Sequence, residues 1–131
     1  MLQAYRESIR AYRNKKITLR QERRLISLAQ KGCEKSRQEM VLRHVGFLLY
    51  RLQQKVIPAL LYKHREDMVS LGVIILYEKI KTYNLNYRDK RGVRKRVRFV
   101  SYVWKRIDGF IVDYLKEEFK QSNFLNNRRD I

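Results

Sequence analysis

A chain of 131 residues with 31 Lys and Arg against 13 Asp and Glu carries a net charge of +18. Its hydrophobic residues, 44% of the total, are enough for one core-bearing domain and exclude a disordered basic tail. Such a charge opposes compaction by self-repulsion, so a polyanionic partner is its physical reason: nucleic acid first, an anionic membrane second.

The single Cys33 leaves no intramolecular disulfide and no zinc set, and is read as a small residue at a helix end. No apolar run reaches the ~18 residues of a membrane span. Residues 1–16 lack the apolar block of a secretory signal, so a cytoplasmic location is expected.

Five glycines and one proline favour helices with short connections. Leu2, Tyr5, Ile9 and Tyr12 predict a short helix over 2–13, the core of an N-terminal segment 1–16. In "ITLRQERRLISLAQKG", Thr18 and Gln21 form a capping box. Leu19, Leu25, Ile26, Leu28 and Ala29 then give an apolar face, and Gly32 ends the helix. Met40, Val41, Val45, Leu48, Leu49, Leu52 and Val56 predict a long helix from Glu34 to Val56, stopped or kinked ahead of Pro58.

A further helix is predicted over 66–83, with Met68, Val69, Val73, Leu76, Ile80 and Tyr83 inward. Gly72, at mid-helix, marks a close approach by a neighbour. Residues 84–97 read as loop. The last helix is expected from Phe99 to Lys120, with Val100, Val103, Ile107, Ile111, Tyr114 and Leu115 inward, and 121–131 as a tail or linker. The fold class is therefore all-α, a compact domain of four to five helices.

The loop before the last helix holds Arg88, Lys90, Arg91, Arg94, Lys95, Arg96 and Arg98 against Asp89 alone, a density suited to phosphates. Phe99, Tyr102 and Trp104 follow at once, and aromatic faces beside a phosphate-binding loop suit unstacked bases. Tyr102, Arg106, Gly109, Asp113 and Lys116 share one helix face, flanked by Ser101 and Lys105. Gly109 leaves bare backbone where a bulky partner could lie. Of the aromatics, Tyr102 is expected on a partly exposed stripe and Trp104 partly in the core.

Catalysis finds no candidate residues. His44 and His64 lack a ligand set. Glu66 and Asp67 are adjacent and diverge by about 100° on a helix, as do Glu117 and Glu118. No nucleophile–base pair, phosphate loop or metal signature is visible, so neither an enzyme nor a cofactor is expected.

Several segments, in order, carry a family resemblance. "KSRQEMVLRHVGFLLYRLQQKV", "EDMVSLGVIILYEKIKTYN" and "RFVSYVWKRIDGFIVDYLKEE" resemble regions 2.1, 2.2 and 2.3–2.4 of bacterial sigma factors of the sigma-70 family. "ITLRQERRLISLAQKGCEKSRQ" resembles the region 1.2 helix, so residues 17–120 make a sigma region 1.2–2-like domain.

The resemblance implies a transcription initiation factor that binds core RNA polymerase and recognises and melts the promoter −10 region. The 66–83 helix would dock on the clamp-helix coiled coil of the largest polymerase subunit through Glu66, Asp67, Ser70 and Leu71, the last two replacing a usual Gln-Glu pair. Phe99, Tyr102 and Trp104 would lie on the melting segment, with Tyr102 at the base-stacking position. Lys105 and Arg106 stand where housekeeping members carry a Trp pair, and Asp108 replaces an Arg of the alternative members' signature. His44 and Gly46 also depart from the family pattern.

Nothing resembles region 4. A separate region 4-bearing protein, an anti-sigma factor and promoter DNA are the further partners implied, and a fragment or a small sigma-like protein of a phage or mobile element would fit. The rival readings are a basic helical nucleic-acid-binding protein, nucleoid- or ribosome-associated, that does not bind polymerase, and a membrane-surface protein.

Overall fold

The computed structural model describes the backbone of residues 2–129 and the side chains of residues 5–120. It consists of five helices: α1 (Leu2–Arg13), α2 (Leu19–Gln30), α3 (Glu34–Lys55), α4 (Pro58–Thr82) and α5 (Phe99–Arg129). No β-strand is present among the described residues. None of the described helices is long and apolar enough to cross a membrane. Helix α3 is the hub, since each of the other four packs against it. Met40, Val41, Val45, Leu48 and Leu52 on α3 meet Ile26 of α2, Met68, Leu76 and Ile80 of α4, and Val103, Ile107 and Ile111 of α5 in one core.

Local rules account for most boundaries. The Thr18 hydroxyl accepts the Gln21 N–H, and the Gln21 side chain accepts the Thr18 N–H, completing the capping box. Helix α2 ends with the Gly32 N–H on the Ala29 carbonyl and the Cys33 N–H on the Leu28 carbonyl, the paired bonds of a Schellman motif. Val56 and Ile57 are extended, as a residue preceding proline must be, and this separates α3 from α4.

Two boundaries differ from the sequence reading. Helix α4 starts at Pro58, not near residue 66. Proline lacks the N–H that a first turn does not use, and its fixed φ favours helix at N1, so the residue that ends α3 also begins α4. Helix α5 continues past Lys120 to Arg129. The rest of the tail predicted for 121–131, and all its side chains, lie outside the described residues, as does the Leu2 side chain of the α1 stripe.

Gly72 marks the close approach that its mid-helix position predicts. A Cβ built there would lie 2.5 Å from Cδ1 and 3.1 Å from Cγ of Leu48, which is itself fully buried. Gly72→Ala is therefore expected to destabilise by about 1–2 kcal/mol, overpacking outweighing the gain in helix propensity. A urea unfolding midpoint checks this, and a stabilised variant would mean that Leu48 relaxes freely.

Helix α2 holds the connection from α4 to α5 by three side chains. Gln30 donates to the Ile80 and Tyr83 carbonyls, satisfying acceptors that the end of α4 leaves open. Arg23 donates to the Leu85 carbonyl. Glu22, buried, accepts the Phe99 N–H at 2.6 Å and so caps the first turn of α5 from 77 residues away.

Candidate nucleic-acid interface

Residues 84–97, read as loop, fold into a small hairpin fixed by its own sequence. Asp89 is followed three residues later by Gly92, the pattern of a tight turn. The Asp89 carboxylate accepts the N–H groups of Arg91 and Val93, and the Gly92 N–H bonds the Asp89 carbonyl. Gly92 has φ +77°, which residues with a Cβ rarely adopt. An isolated antiparallel bridge joins Arg88 to Arg94. At the base the Tyr83 hydroxyl donates to the Val97 carbonyl. The turn's one carboxylate is thus spent on backbone N–H groups and a long 3.9 Å contact with Lys95. Arg88, Lys90, Arg91, Arg94, Lys95 and Arg96 all remain exposed.

Arg98, exposed like the rest of the basic run, also has partners within the fold. Its Nη1 donates to the Ile17 carbonyl at 3.0 Å and lies 3.5 Å from Glu22 Oε2. It ties the hairpin base to the α1–α2 connection.

Phe99 corrects the sequence reading outright. Its ring is 0% exposed and packs edge-on against buried His44 at 4.8 Å, with Tyr83 and Tyr102 at 6.3 Å. A ring closed off in this way is a core residue and cannot receive a base. His44 belongs to this cluster. Its Nδ1 lies 2.7 Å from the Met40 carbonyl, and burial pushes its pKa below the ordinary histidine value.

Of the other two aromatics, Tyr102 lies on the partly exposed stripe expected of it, while Trp104 is more open than expected. Tyr102 is half-buried, with its ring edge-on to Tyr83 at 5.3 Å, its hydroxyl 2.9 Å from that of Thr82, and the Lys79 ammonium 5.4 Å from its centroid. Trp104 is the more open, at 40% exposure. Its ring leans on Phe47 at 5.1 Å, and the Arg51 guanidinium lies 4.7 Å from its centroid. Arg51 is clamped by both oxygens of Asp108, at 2.9 and 2.8 Å. These bonds hold the Asp108 carboxyl below the usual carboxylate range and push the Arg51 guanidinium above its usual value. Asp108 therefore works with Arg51 of α3 to fix the tryptophan.

Two residues apart on a helix is about 200°, so Tyr102 and Trp104 project on opposite flanks of α5. Between them runs an exposed ridge of Ser101, Lys105 and Gly109, with Arg106 exposed beside it. A Cβ at Gly109 would meet nothing within 4 Å, so the bare patch is open. The hairpin leads directly into this ridge.

On α4, Glu66, Asp67 and Leu71 are exposed and Ser70 is half-buried. Sequence reasoning missed Ile74, 53% exposed, and Glu78, also exposed. Both follow Asp67 and Leu71 at helical steps, so the stripe Asp67–Leu71–Ile74–Glu78 was there to be read. It is an apolar pair between carboxylates on a strongly basic protein. Comparisons of the chain with protein-family models, curated proteins and solved structures give no match.

Proposed function

We propose that the chain is a sigma-like transcription initiation factor without catalytic activity, acting in the cytoplasm, that binds core RNA polymerase and recognises and melts the promoter −10 region. The observation that carries this reading is the ordered basic hairpin running into a helix whose open ridge is flanked by Tyr102 and Trp104. The hairpin would hold phosphates at the edge of the bubble, and the rings would take bases once the strands part. Opening then draws on binding energy realised only with the single-stranded form. Asp67, Leu71, Ile74 and Glu78 form an acidic and apolar stripe, with Glu66 beside it, suited to a basic coiled coil of the polymerase. Recognition of the −35 element falls to a separate partner.

Trp104→Ala separates melting from plain binding, and the structure makes it a cleaner test than Tyr102→Ala, whose ring also supports the hairpin base. Stacking on one aromatic is worth about 1–3 kcal/mol. Affinity for a −10 fork template with an unpaired base is expected to fall about 5- to 150-fold in the presence of core polymerase. Affinity for closed duplex should hold, since phosphates dominate that state. Neutralising Arg94, Lys95 and Arg96 should instead weaken both templates and flatten the slope of log K against log salt by about 0.7–0.9 per lost contact. Equal loss on fork and duplex for Trp104→Ala, in a variant whose melting curve is intact, would favour a general nucleic-acid binder that does not engage polymerase.

A further inference from the structure

Away from the hairpin, the first turns of α4 and the far half of α5 enclose a groove of about 670 Å³. Its apolar lining is Leu60 from α4 and Val112, Leu115 and Phe119 from α5. Phe119 is 67% and Val112 44% exposed, and neither belongs to the core. The three α5 residues stand at i, i+3 and i+7, so the apolar strip follows about two turns of helix. Exposed bulky side chains grouped in a concave strip are the usual mark of a docking site.

The polar groups of the groove are asymmetric. His64 lies between α4 and α5, with Nδ1 3.1 Å from the Tyr114 hydroxyl and Nε2 3.8 Å from Glu118 Oε2. The Glu118 carboxylate is therefore turned onto the protein's own imidazole. Lys63, Lys116 and Lys120 line the same groove and are exposed. None of the three belongs to an ion pair among the described residues. The rim is positive around an apolar floor.

We propose that this groove docks an amphipathic helix of a partner protein whose apolar ridge is flanked by Asp and Glu. An apolar stripe seated in a groove supplies the contact area, and the lysine rim selects acidic flanks and repels basic ones. A second copy of this chain is a poor occupant, because each copy carries +18. Nucleic acid would meet the lysines but leave the apolar floor uncovered. The site shares no residue with the hairpin or the Trp104 ridge, so it stands whether or not the chain opens promoters.

The test uses the full chain and three fluorescent synthetic helical peptides. One has Leu at i, i+3 and i+7 with Glu on both flanks, the second the same residues scrambled, and the third Lys in place of Glu. Anisotropy titrations should show binding of the first, and at least about tenfold weaker binding of the other two. Phe119→Ala and Val112→Asp should each weaken the first peptide by at least about tenfold, with melting temperatures unchanged because both side chains lie outside the core. Equal binding of the scrambled peptide would reduce the site to general attraction of acidic chains and overturn the proposal. So would retained affinity in both variants. Sedimentation as a dimer that Val112→Asp dissociates would assign the groove to a second copy, and an oligonucleotide whose affinity falls with Val112→Asp would assign it to nucleic acid.

Discussion

Phe99→Ala is expected to remove about 3–5 kcal/mol of stability, the cost of deleting a large ring from a packed core. For a domain whose whole stability is about 5–15 kcal/mol, that is enough to leave much of it unfolded on mild heating. The ring closes the joint of α2, α3, α4 and α5 in contact with His44, Tyr83 and Tyr102. Its own N–H is anchored by Glu22. The cavity left by alanine would sit directly beneath the hairpin base, so the basic turn should lose its fixed position together with the core. Urea unfolding of wild type and variant measures the loss. A cost under about 1 kcal/mol, within the usual range for surface changes, would be the behaviour of an exposed stacking residue and would contradict the burial.

Reversing Glu66 and Asp67 to Lys should separate the chain from core polymerase without unfolding it. Both carboxylates are exposed on α4, and neither belongs to an ion pair among the described residues. Like charges placed across an interface cost several kcal/mol. A loss of about 3 kcal/mol is roughly 150-fold in affinity. Leu71 and Ile74 share the stripe of Asp67, so the reversed charge there would also sit beside the apolar pair the partner must cover. Titration of labelled core polymerase, with a melting curve for the variant, gives the answer. Unchanged affinity in a folded variant would remove this face from the docking account.

Much of the fold was legible because it is local. The capping box at Thr18, the break before Pro58 and the packed Gly72 each follow from a few adjacent residues, and the structure carries all three. The early start of α4 was hidden because "PALLYKHR" has no clear apolar period, while the proline at N1 and the packing of Leu61 settle it.

The site was harder to read because its decisive contacts are long-range. Phe99 lies nearly in phase with Val103 and Phe110, both buried, so its inward position was readable from spacing. Its place beside the arginines pointed the other way. Nothing near Glu22 in sequence announces a partner 77 residues distant. The openness of Trp104 depends likewise on Phe47 and Arg51 of another helix.

The proposed function has this protein join RNA polymerase at an opened promoter. The most direct measurement mixes the purified chain with core polymerase and a −10 fork template, resolves the mixture by gel filtration, and probes the template with permanganate. The expected result is a one-to-one complex of chain and polymerase that carries the template and leaves its −10 thymines reactive. A chain that elutes with the DNA but apart from the polymerase, with thymines protected as in closed duplex, would contradict it.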